Sequence, residues 1–334
     1  MNALSPHNPD ERLRLLIRHH GVETVSFQAL ERGVQVWHGP NGAVGYVDTG
    51  AAWVSAGAPF APPKLRSLVA RNFFKAARQE GRRVCFCAVE SAFDPEGRFN
   101  AVQIGAQAYW DPRAWAATLA LTTSRSLREQ LRRARAKKVV VRRVGPHELV
   151  EGTHLRAAVD RLLERWLASQ GMPALRFLLD VQLFHAAEDR RIYAAQIGDA
   201  LVGLLNAVPV YGRDGWFFED ILRDPLAPNG TTELLIDAAM RHAAEEGNAH
   251  VTMGLVPLAG NVPWWMKSVR LLGNRPYDFD GLRRFREKLK PQGWEPVFVR
   301  YPDGQTALSA IWDTLTAVTG GCPFAWAIRA RSHR

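Results

Sequence analysis

The same order of local patterns occurs twice in this chain, about one domain length apart. In the first half, a strand-like stretch that ends at Ser55 is followed by a proline-rich loop, an amphipathic segment at 64–80, a glycine and another strand-like stretch. In the second half, the stretch 216–222 is followed by a proline-containing loop, a segment at 231–246, a glycine and the stretch 250–256. Strands alternating with helices indicate α/β units, which also arise independently in unrelated proteins. The repeat predicts an α/β (α+β) fold of two similarly built lobes, each a mixed sheet flanked by helices.

Composition and charge restrict the class of protein. The 334 residues are 47% hydrophobic, enough for sizeable cores, and their formal net charge of +10 favours an anionic partner. Three cysteines are too few for a disulfide scaffold, and Cys85 and Cys87 lack the further cysteines or histidines of a metal site. No stretch reaches the roughly 18–20 apolar residues that a membrane-spanning helix needs. We therefore expect a cytoplasmic protein with reduced thiols and no bound metal, which meets a membrane only peripherally on its inner face.

The most biased stretch lies between the two halves. Residues 124–143 contain nine Lys or Arg and one acid, Glu129, so this segment alone has a net charge of +8. The spacing of Ser126 and Glu129 matches a capping box and predicts a helix start. A solvated helix face would usually carry alternating acids and bases, whereas a surface of one sign is typical of contact with a phosphate backbone or anionic lipid. We therefore favour a functional role for this basic helix.

The segment 217–230 carries the strongest candidate for a reaction centre. An apolar strand ends in Asp220 and Arg223, a proline-containing loop leads to Asn229 and Gly230, and a helix is predicted to begin at Thr231. The free N–H groups and positive dipole end of a helix start suit an anion or phosphate. A salt-bridged surface turn is the alternative. Because side chains alternate along a strand, Glu219 is predicted to face away from Asp220.

Several stretches of the chain, in the same order, resemble one family. The chain resembles the C-terminal catalytic domain of bacterial phosphatidylglycerol lysyltransferases and their soluble relatives, over roughly residues 25–302. The matching stretches are Ser55-Ala56-Gly57-Ala58-Pro59, the basic segment from Ser126 to Ala134, Asp220-Ile221-Leu222-Arg223, the loop from Asp224 to Gly230, the stretch from Met253 to Gly260, and Leu282-Arg283-Arg284-Phe285-Arg286-Glu287-Lys288-Leu289. Ala106 and Gln107 depart from the pattern, since the family often has two glutamates there, and Arg286 and Leu289 replace a lysine and a phenylalanine.

The resemblance implies a fold and an activity. The fold would be two tandem GNAT-like lobes joined by a basic helix, with a first lobe at 1–122, the helix at 123–143, a second lobe with the active site at 144–304, and a tail at 305–334. The residues of the tail favour packing on the body, and their aromatic side chains with basic flanks also fit a membrane surface. The activity would be transfer of an amino acid from aminoacyl-tRNA to a hydroxyl acceptor, a phospholipid such as phosphatidylglycerol. Aminoacyl-tRNA would be the donor substrate, no cofactor would be needed, and the partners would be tRNA and an anionic lipid surface.

The resemblance and the charges together assign roles to individual residues. Asp220 would anchor an ammonium group of the aminoacyl moiety or orient the attacking group, and Arg223 would hold a phosphate or the developing negative charge. The substrate-binding residues would be Asn229, Gly230, Gly254, Arg286, Lys288 and Lys290, of which the last three would bind the acceptor phosphate. The tRNA-binding residues would be Arg128, Arg132 and Arg133. Gly254 also fits a purely structural role at a strand end.

Two other functions fit parts of the sequence. An acyl-CoA-dependent GNAT N-acyltransferase also binds pyrophosphate at a helix start, but the stretch Pro228-Asn229-Gly230 lacks the glycine-rich pattern usual there. A non-catalytic relative that binds RNA or an anionic membrane would explain the missing glutamates. The retained pair Asp220 and Arg223 argues against it.

Overall fold

The computed structural model describes residues 9–90, 97–170, 177–266 and 279–332. Within these ranges, eleven strands form one mixed sheet with helices packed on it, so the predicted mixed α/β class is confirmed. The strands are β1 (Gln35–Gly39), β2 (Gly42–Asp48), β3 (Ala52–Ala56), β4 (Arg83–Glu90), β5 (Phe99–Trp110), β6 (Val140–Val144), β7 (Arg191–Ile197), β8 (Ala200–Val210), β9 (Gly215–Arg223), β10 (His250–Pro257) and β11 (Gly293–Pro302). The helices are α1 (Pro9–His20), α2 (Arg66–Gln79), α3 (Trp115–Ala120), α4 (Arg125–Ala136), α5 (His154–Gln170), α6 (Thr231–Glu245), α7 (Phe279–Lys288), α8 (Ala307–Thr319) and α9 (Pro323–Ser332).

The sheet runs continuously through both halves of the chain. Its strand order is β1-β2-β3-β4-β11-β5-β10-β9-β8-β7-β6. Strand β11, which lies late in the sequence, is inserted between β4 and β5 and is antiparallel to both. The predicted domain boundaries stay a prediction. Strands from both predicted lobes belong to this one sheet.

The repeated pattern of the sequence corresponds to two similar units. In the first, β3 and β4 are parallel and are connected through α2; in the second, β9 and β10 are parallel and are connected through α6. Each loop between strand and helix contains prolines, and each helix is followed by a glycine with positive φ, Gly81 or Gly247. These glycines end their helices because the left-handed conformation suits a residue without a Cβ atom.

The two parallel strand pairs differ in length. β9 and β10 pair only from His250 opposite Gly215 to Thr252 opposite Phe217. Beyond these positions β9 stays with β8, whereas β10 continues along β5 after an irregularity between Thr252 and Leu255. The two strands therefore diverge toward the carboxyl end of β9, where α6 begins.

Alternating residues of the strands bury apolar side chains on both faces of the sheet. In β4, Val84 and Phe86 belong to the cluster around α2, while Cys85 and Cys87 belong to the cluster that includes the buried face of α8. Burial raises the pKa of both thiols, that of Cys87 to about 12, so they are inert core groups. Helix α8 contacts β3, β4 and β11, so the tail packs on the body.

Two local predictions are wrong. Ser126 lies inside α4 instead of capping it: the helix begins at Arg125, and the cap residue Ser124 donates its hydroxyl to the Thr118 carbonyl at 2.7 Å. The spaced apolar residues of the segment 146–170 predict one helix there. In the structure this segment divides into a short 3-10 turn, Pro146–Leu149, and α5. None of the helices in the described ranges combines the length and apolarity needed to cross a membrane.

Candidate active site

A cavity of about 690 Å³ lies where β9 ends and α6 begins. Its walls are formed by β9, the start of α6, and residues of α4, α5 and α7. Its lining residues are Gln130, Trp166, Phe218, Glu219, Ile221, Arg223, Asn229, Gly230, Thr232, Glu233, Leu282, Phe285 and Arg286. Ligands of open α/β sheets bind in this type of crevice, outside the carboxyl ends of the strands. Arg223, Asn229, Gly230 and Arg286 were predicted as site residues and are brought together here.

Arg223 is held in the cavity wall by the loop that follows it. Its Nη2 donates to the Ala227 carbonyl at 2.6 Å and to Asn229 Oδ1 at 3.3 Å. Its buried Nε has no hydrogen-bond partner within the described part of the chain. A buried guanidinium nitrogen without an acceptor is costly, so it is a fitting donor for an oxyanion or phosphate oxygen of a ligand.

Gly230 brings the basic helix into contact with the start of α6. It has φ +91, and a Cβ atom at this position would lie 2.0 Å from the Gln130 carbonyl oxygen of α4. Only glycine fits both the left-handed backbone and this close approach. The α4 backbone therefore lies directly against the helix start, and Gln130 lines the cavity.

A β-bulge changes the predicted arrangement of the acids. Asn206 of β8 lies opposite Asp220, but the next β8 residue, Ala207, lies opposite Phe218, so Glu219 is an extra residue in β9. Asn206 Nδ2 donates to Asp220 Oδ2 at 2.9 Å and to Glu219 Oε2 at 3.1 Å. The prediction that Glu219 faces away from Asp220 is therefore wrong, because a bulge interrupts the alternation of side chains.

The two acids belong to a buried cluster of charged and polar side chains. Arg190 donates to Glu219 at 2.7 Å and to Glu31 at 3.0 Å, and Gln28 Nε2 donates to Glu219 at 2.8 Å. Burial, with the nearby charge of Glu219, raises the pKa of Asp220 to about 7 and that of Glu31 to about 9. Arg190 thus forms ion pairs with two of the three carboxyl groups, Glu31 and Glu219, and burial favours the neutral forms of Glu31 and Asp220.

Sequence reasoning missed Asn206, Arg190 and Glu31 as parts of this cluster. Asn206 is the one polar side chain in the otherwise apolar stretch Leu201–Val210, and it is fully buried. A lone amide in an apolar strand is a signal, since buried polar groups need partners. Arg190 and Glu31 give no comparable signal, because they come from loops far away in the chain.

Of the basic residues assigned to the acceptor phosphate, two already have partners in the protein. Arg286 is buried and donates through Nη2 to the Met253 carbonyl at 2.8 Å. Lys288 Nζ donates to Glu233 Oε1 at 2.6 Å, which joins α7 to the first turn of α6. Lys290 is half-buried just after α7, and its backbone N–H donates to the Glu287 carbonyl. Their predicted phosphate-binding role stays a prediction.

Gly254 lies in the irregular part of β10 and not in the cavity lining. It has φ +73, and a Cβ atom there would be 2.8 Å from the Phe217 ring. Its N–H donates to Thr252 Oγ1 at 3.1 Å. These contacts show a packing role for Gly254 at the point where β10 leaves β9, and substrate binding by Gly254 stays a prediction.

The basic helix α4 is anchored on one side and exposed on the other. Leu127, Leu131 and Ala134 are buried, and Arg128 donates to the carbonyls of Leu119 and Leu121 at 2.5 and 2.6 Å. Exposed Arg132 and Arg133 are paired only with Glu129 among the described residues, at 2.8 and 3.0 Å. A second cavity of about 270 Å³ joins this helix to the loop before α6. It is lined by Arg133, Ala136, Lys137, Pro228 and Asn229.

The position of the missing glutamates is a buried junction near the middle of the sheet. Gln107 Nε2 donates to Glu295 of β11 at 3.2 Å, and its Oε1 accepts from Thr24 Oγ1 at 3.0 Å. Arg213 forms ion pairs with Glu295, at 2.6 Å, and with Glu90. Carboxylates are thus present at this junction, but they come from β4 and β11 instead of β5.

The fold and the site define a class of protein, a mixed α/β domain with a cavity at a strand-to-helix turn. Residues 13–301 match the family model described as phosphatidylglycerol lysyltransferase, C-terminal. The match covers most of the chain, and the chain belongs to this family.

Curated relatives and solved structures agree with this assignment. The chain is 24% identical over 222 residues to the lysylphosphatidylglycerol biosynthesis bifunctional protein LysX of Mycobacterium ulcerans, covering 63% of this chain and 20% of that protein. It is 33% identical over 111 residues to the phosphatidylglycerol lysyltransferase of Bacillus subtilis, covering 30% and 13%. The chain thus spans about a fifth or less of the length of these relatives.

Two solved structures share the fold. One is the C-terminal domain of a putative lysylphosphatidylglycerol synthetase from Agrobacterium fabrum, with a TM-score of 0.78, 20% identity, and coverage of 93% of this chain and 97% of that one. The other is L-PGS from Bacillus licheniformis, with a TM-score of 0.79, 20% identity, and coverage of 95% and 99%.

Proposed function

We propose that the chain transfers an amino acid from aminoacyl-tRNA to a hydroxyl group of an anionic phospholipid such as phosphatidylglycerol. The observation that carries this proposal is the direct contact between α4 and the start of α6. It places a basic surface beside a cavity that has Arg223 in its wall. Family membership supplies the class of reaction, and the names of the relatives supply the lipid.

The exposed side of α4 is the proposed tRNA surface. Arg132 and Arg133 are exposed there, and both pair with the same acid, Glu129. A phosphate backbone would compete with Glu129 for both arginines. Arg128 is engaged with two carbonyls at the end of α3, so it would hold the helix in place more than bind RNA. The smaller cavity beside Arg133 and Asn229 continues toward the start of α6. This arrangement would guide the aminoacyl end of the tRNA from α4 into the larger cavity.

The reaction itself needs positioning and charge stabilisation. The acceptor oxygen attacks the ester carbonyl, a new ester forms, the bond to the tRNA ribose oxygen breaks, and the acceptor proton ends on that ribose oxygen. Negative charge develops on the carbonyl oxygen. Arg223, with its unpartnered Nε, and the N–H groups around Asn229 and Gly230 would stabilise that charge.

Asp220 is proposed to act on the amino group or on the attacking hydroxyl. Its pKa of about 7 leaves both protonation forms populated near neutral pH. The ionised form would hold an ammonium group or accept the hydroxyl proton, and the neutral form would return that proton. Asn206 keeps the carboxyl group oriented. Glu219, its neighbour in the bulge, lines the cavity.

The acceptor phosphate would lie near α7. Lys288 and Arg286 are the proposed ligands with Lys290, and a phosphate would draw Lys288 away from Glu233. An acyl-CoA-dependent reaction is less favoured by this geometry. The α4 backbone closes one side of the α6 start, at the position where an added Cβ atom of Gly230 would already meet Gln130.

The test uses purified protein with a mixture of radiolabelled aminoacyl-tRNAs and a total lipid extract. We expect label in the organic phase, lost in Asp220→Ala and Arg223→Ala but kept in the exposed control Asp199→Ala. Label on a soluble product would keep the donor and overturn the lipid acceptor. If no aminoacyl-tRNA reacts, the transferase proposal is wrong, and the acyl-CoA or non-catalytic binding function replaces it.

A further inference from the structure

The two helices that end the described chain leave an apolar face uncovered. On α8 and α9, five large apolar side chains are between 39 and 67% exposed. They are Leu308, Trp312, Leu315, Phe324 and Ile328. Isolated exposed apolar residues are common on proteins, but a contiguous set usually marks an interaction surface.

These side chains form one continuous stripe. Leu308, Trp312 and Leu315 follow each other at i, i+4 and i+7, so they lie on one face of α8. The rings of Trp312 and Phe324 have centroids 5.2 Å apart, which joins the α8 stripe to the exposed side of α9. We call α8 and α9 together the hairpin, and this set of five residues the hairpin face.

Packing against the core does not account for the hairpin face. Other residues of α8 fulfil that role: Ala310 and Ala317 are buried in the cluster formed with β3, β4 and β11. Two further exposed side chains lie near the same cluster. Leu179 is on a turn that packs against α8, and Trp264 precedes Trp265, which packs on that cluster.

The charges of the hairpin select the kind of partner. The one charged residue of α8 is Asp313, which is 2% exposed and bound by Arg83 at 2.6 and 2.9 Å. The only charged residues in the α9 sequence are Arg329 and Arg331. The hairpin thus offers aromatic and aliphatic side chains, basic residues in sequence beside them, and no exposed acid.

We propose that the hairpin face docks on an anionic lipid surface, with Trp312 and Phe324 inserted at the level of the headgroups. Aromatic and aliphatic side chains with basic flanks are suited to the membrane interface, and basic residues are attracted to anionic lipids. A second copy of this chain fits less well, because each copy carries a net charge of +10. The proposal deepens the proposed function and rests on it for the choice of an anionic lipid.

The test measures binding of the full chain to vesicles by co-sedimentation. The vesicles contain either equal parts of phosphatidylglycerol and phosphatidylcholine or phosphatidylcholine alone. We compare the unchanged protein with the double variant Leu308→Glu, Phe324→Glu, and with Val150→Glu as a control, because Val150 is also exposed but lies before α5. All three positions are exposed, so each variant is expected to keep its thermal midpoint, which is measured in parallel.

We expect binding to the phosphatidylglycerol vesicles that is about tenfold weaker or more in the double variant, and unchanged in Val150→Glu. The difference should persist in high salt, because insertion of apolar groups is not screened as the attraction of α4 to phosphates is. Equal vesicle binding by the double variant and the unchanged protein would overturn the proposal. So would a dimer of the unchanged protein that the double variant dissociates without any change in vesicle binding.

A second measurement separates this surface from the transfer reaction. Short-chain phosphatidylglycerol, supplied as dissolved monomers, needs no docking. The double variant should therefore transfer to the dissolved lipid as fast as the unchanged protein does, and lose transfer only to vesicles. Vesicle binding that depends on the hairpin face, with no transfer to either form of lipid, would support the docking surface and contradict the proposed function.

Discussion

Asn206 Nδ2 lies 2.9 Å from Asp220 Oδ2 and 3.1 Å from Glu219 Oε2, so one buried amide binds two acids that are adjacent in sequence. The bulge in β9 makes this possible, because it turns Glu219 and Asp220 toward the same residue of β8. The hydrogen bond lowers the pKa of Asp220, against the stronger effect of burial, which raises it. Asn206 therefore controls the charge of a residue that the proposed reaction requires.

Replacing this amide should move the pH dependence of transfer. In Asn206→Ala, Asp220 loses the hydrogen bond that favours its ionised form, so its pKa rises further above its usual range. If ionised Asp220 is the active form, the rising limb of the pH–rate profile shifts to higher pH. The lost bond should also lower the unfolding free energy by about 1–3 kcal/mol. Rates from pH 6 to 9 check this, with Asn248→Ala as the control; an unmoved limb would exclude ionised Asp220 from the rate-limiting step.

The contact between α4 and α6 can be tested with two glycines of one helix. Gly230→Ala should lower stability by several kcal/mol or prevent folding, because the new methyl group would meet the Gln130 backbone at 2.0 Å. Gly247, at the other end of α6, has φ +78 but open space around it. Gly247→Ala should cost only about 1–2 kcal/mol for its backbone conformation. Urea unfolding of both variants measures the difference, and equal losses would show that α4 does not press on the helix start.

Local sequence patterns were sufficient to predict the two units in which a helix connects two parallel strands. In each of them, the strands, the proline loop, the helix and the closing glycine follow each other within one short stretch of chain. The position of β11 could not be predicted in this way. Val297 pairs with Glu90 and with Gly105, residues far away in the sequence, and side-chain periodicity does not specify which strands are neighbours. The continuous sheet is a consequence of that long-range pairing.

The candidate site was predictable in part for the same reason. Arg223, Asn229 and Gly230 form one turn, so their closeness follows from the sequence. The wrong prediction for Glu219 assumed regular alternation, and a bulge gives no signal in a single strand. The capping box was predicted wrongly because the spacing of Ser126 and Glu129 was considered without the nearby arginines. Glu129 accepts hydrogen bonds from Arg132 and Arg133 of its own helix, and so it does not cap the helix start.

Stability should fall with rising pH because of Glu31. Its pKa is about 9 in the folded chain, raised chiefly by burial from the ordinary value of 4.5. The folded state therefore retains a proton that the unfolded state loses, so this contribution is complete below pH 4.5 and is lost as pH rises to about 9. Glu31→Gln, which resembles the neutral form, should flatten the decline. The effect of Glu31 on stability should be clearest between pH 7 and 9. The pKa values of Asp220 and Glu23 are about 7, so these two carboxyl groups lose most of their protons before Glu31 does.

Urea midpoints at pH 5, 7 and 9 measure this decline. Glu188→Gln is the control, because Glu188 is 64% exposed and pairs with Arg14 at the surface. The control should follow the unchanged protein at every pH. If Glu31→Gln also keeps the full slope between pH 7 and 9, Glu31 is ionised in the folded chain and the cluster is charged.

Asp237 anchors the basic helix to α6. It accepts hydrogen bonds from Trp115 Nε1 at 2.9 Å, Arg135 at 2.8 Å and Arg241 at 3.1 Å, and its side chain is 2% exposed. Asp237→Ala leaves the buried Trp115 N–H without its acceptor and frees two half-exposed arginines, so it should lower the unfolding free energy by about 1–3 kcal/mol. Glu129→Ala removes an exposed pair and should cost about 1 kcal/mol or less. Thermal unfolding of both variants tests this, and similar losses would contradict an anchoring role for Asp237.

The tRNA surface predicts a specific change in salt dependence. Arg132→Ala with Arg133→Ala should weaken tRNA binding and reduce the slope of log affinity against log salt by roughly 0.7–0.9 for each phosphate that the protein no longer neutralises. Glu129→Gln should have the opposite effect on affinity, because it frees both arginines from the acid that holds them. Arg78→Ala, an exposed arginine on α2, is the matched control and should change neither quantity. Fluorescence anisotropy with labelled tRNA at several salt concentrations measures both. A slope that is unchanged in the double variant would place the RNA elsewhere on the protein, and α4 would then act only as the support of the α6 start.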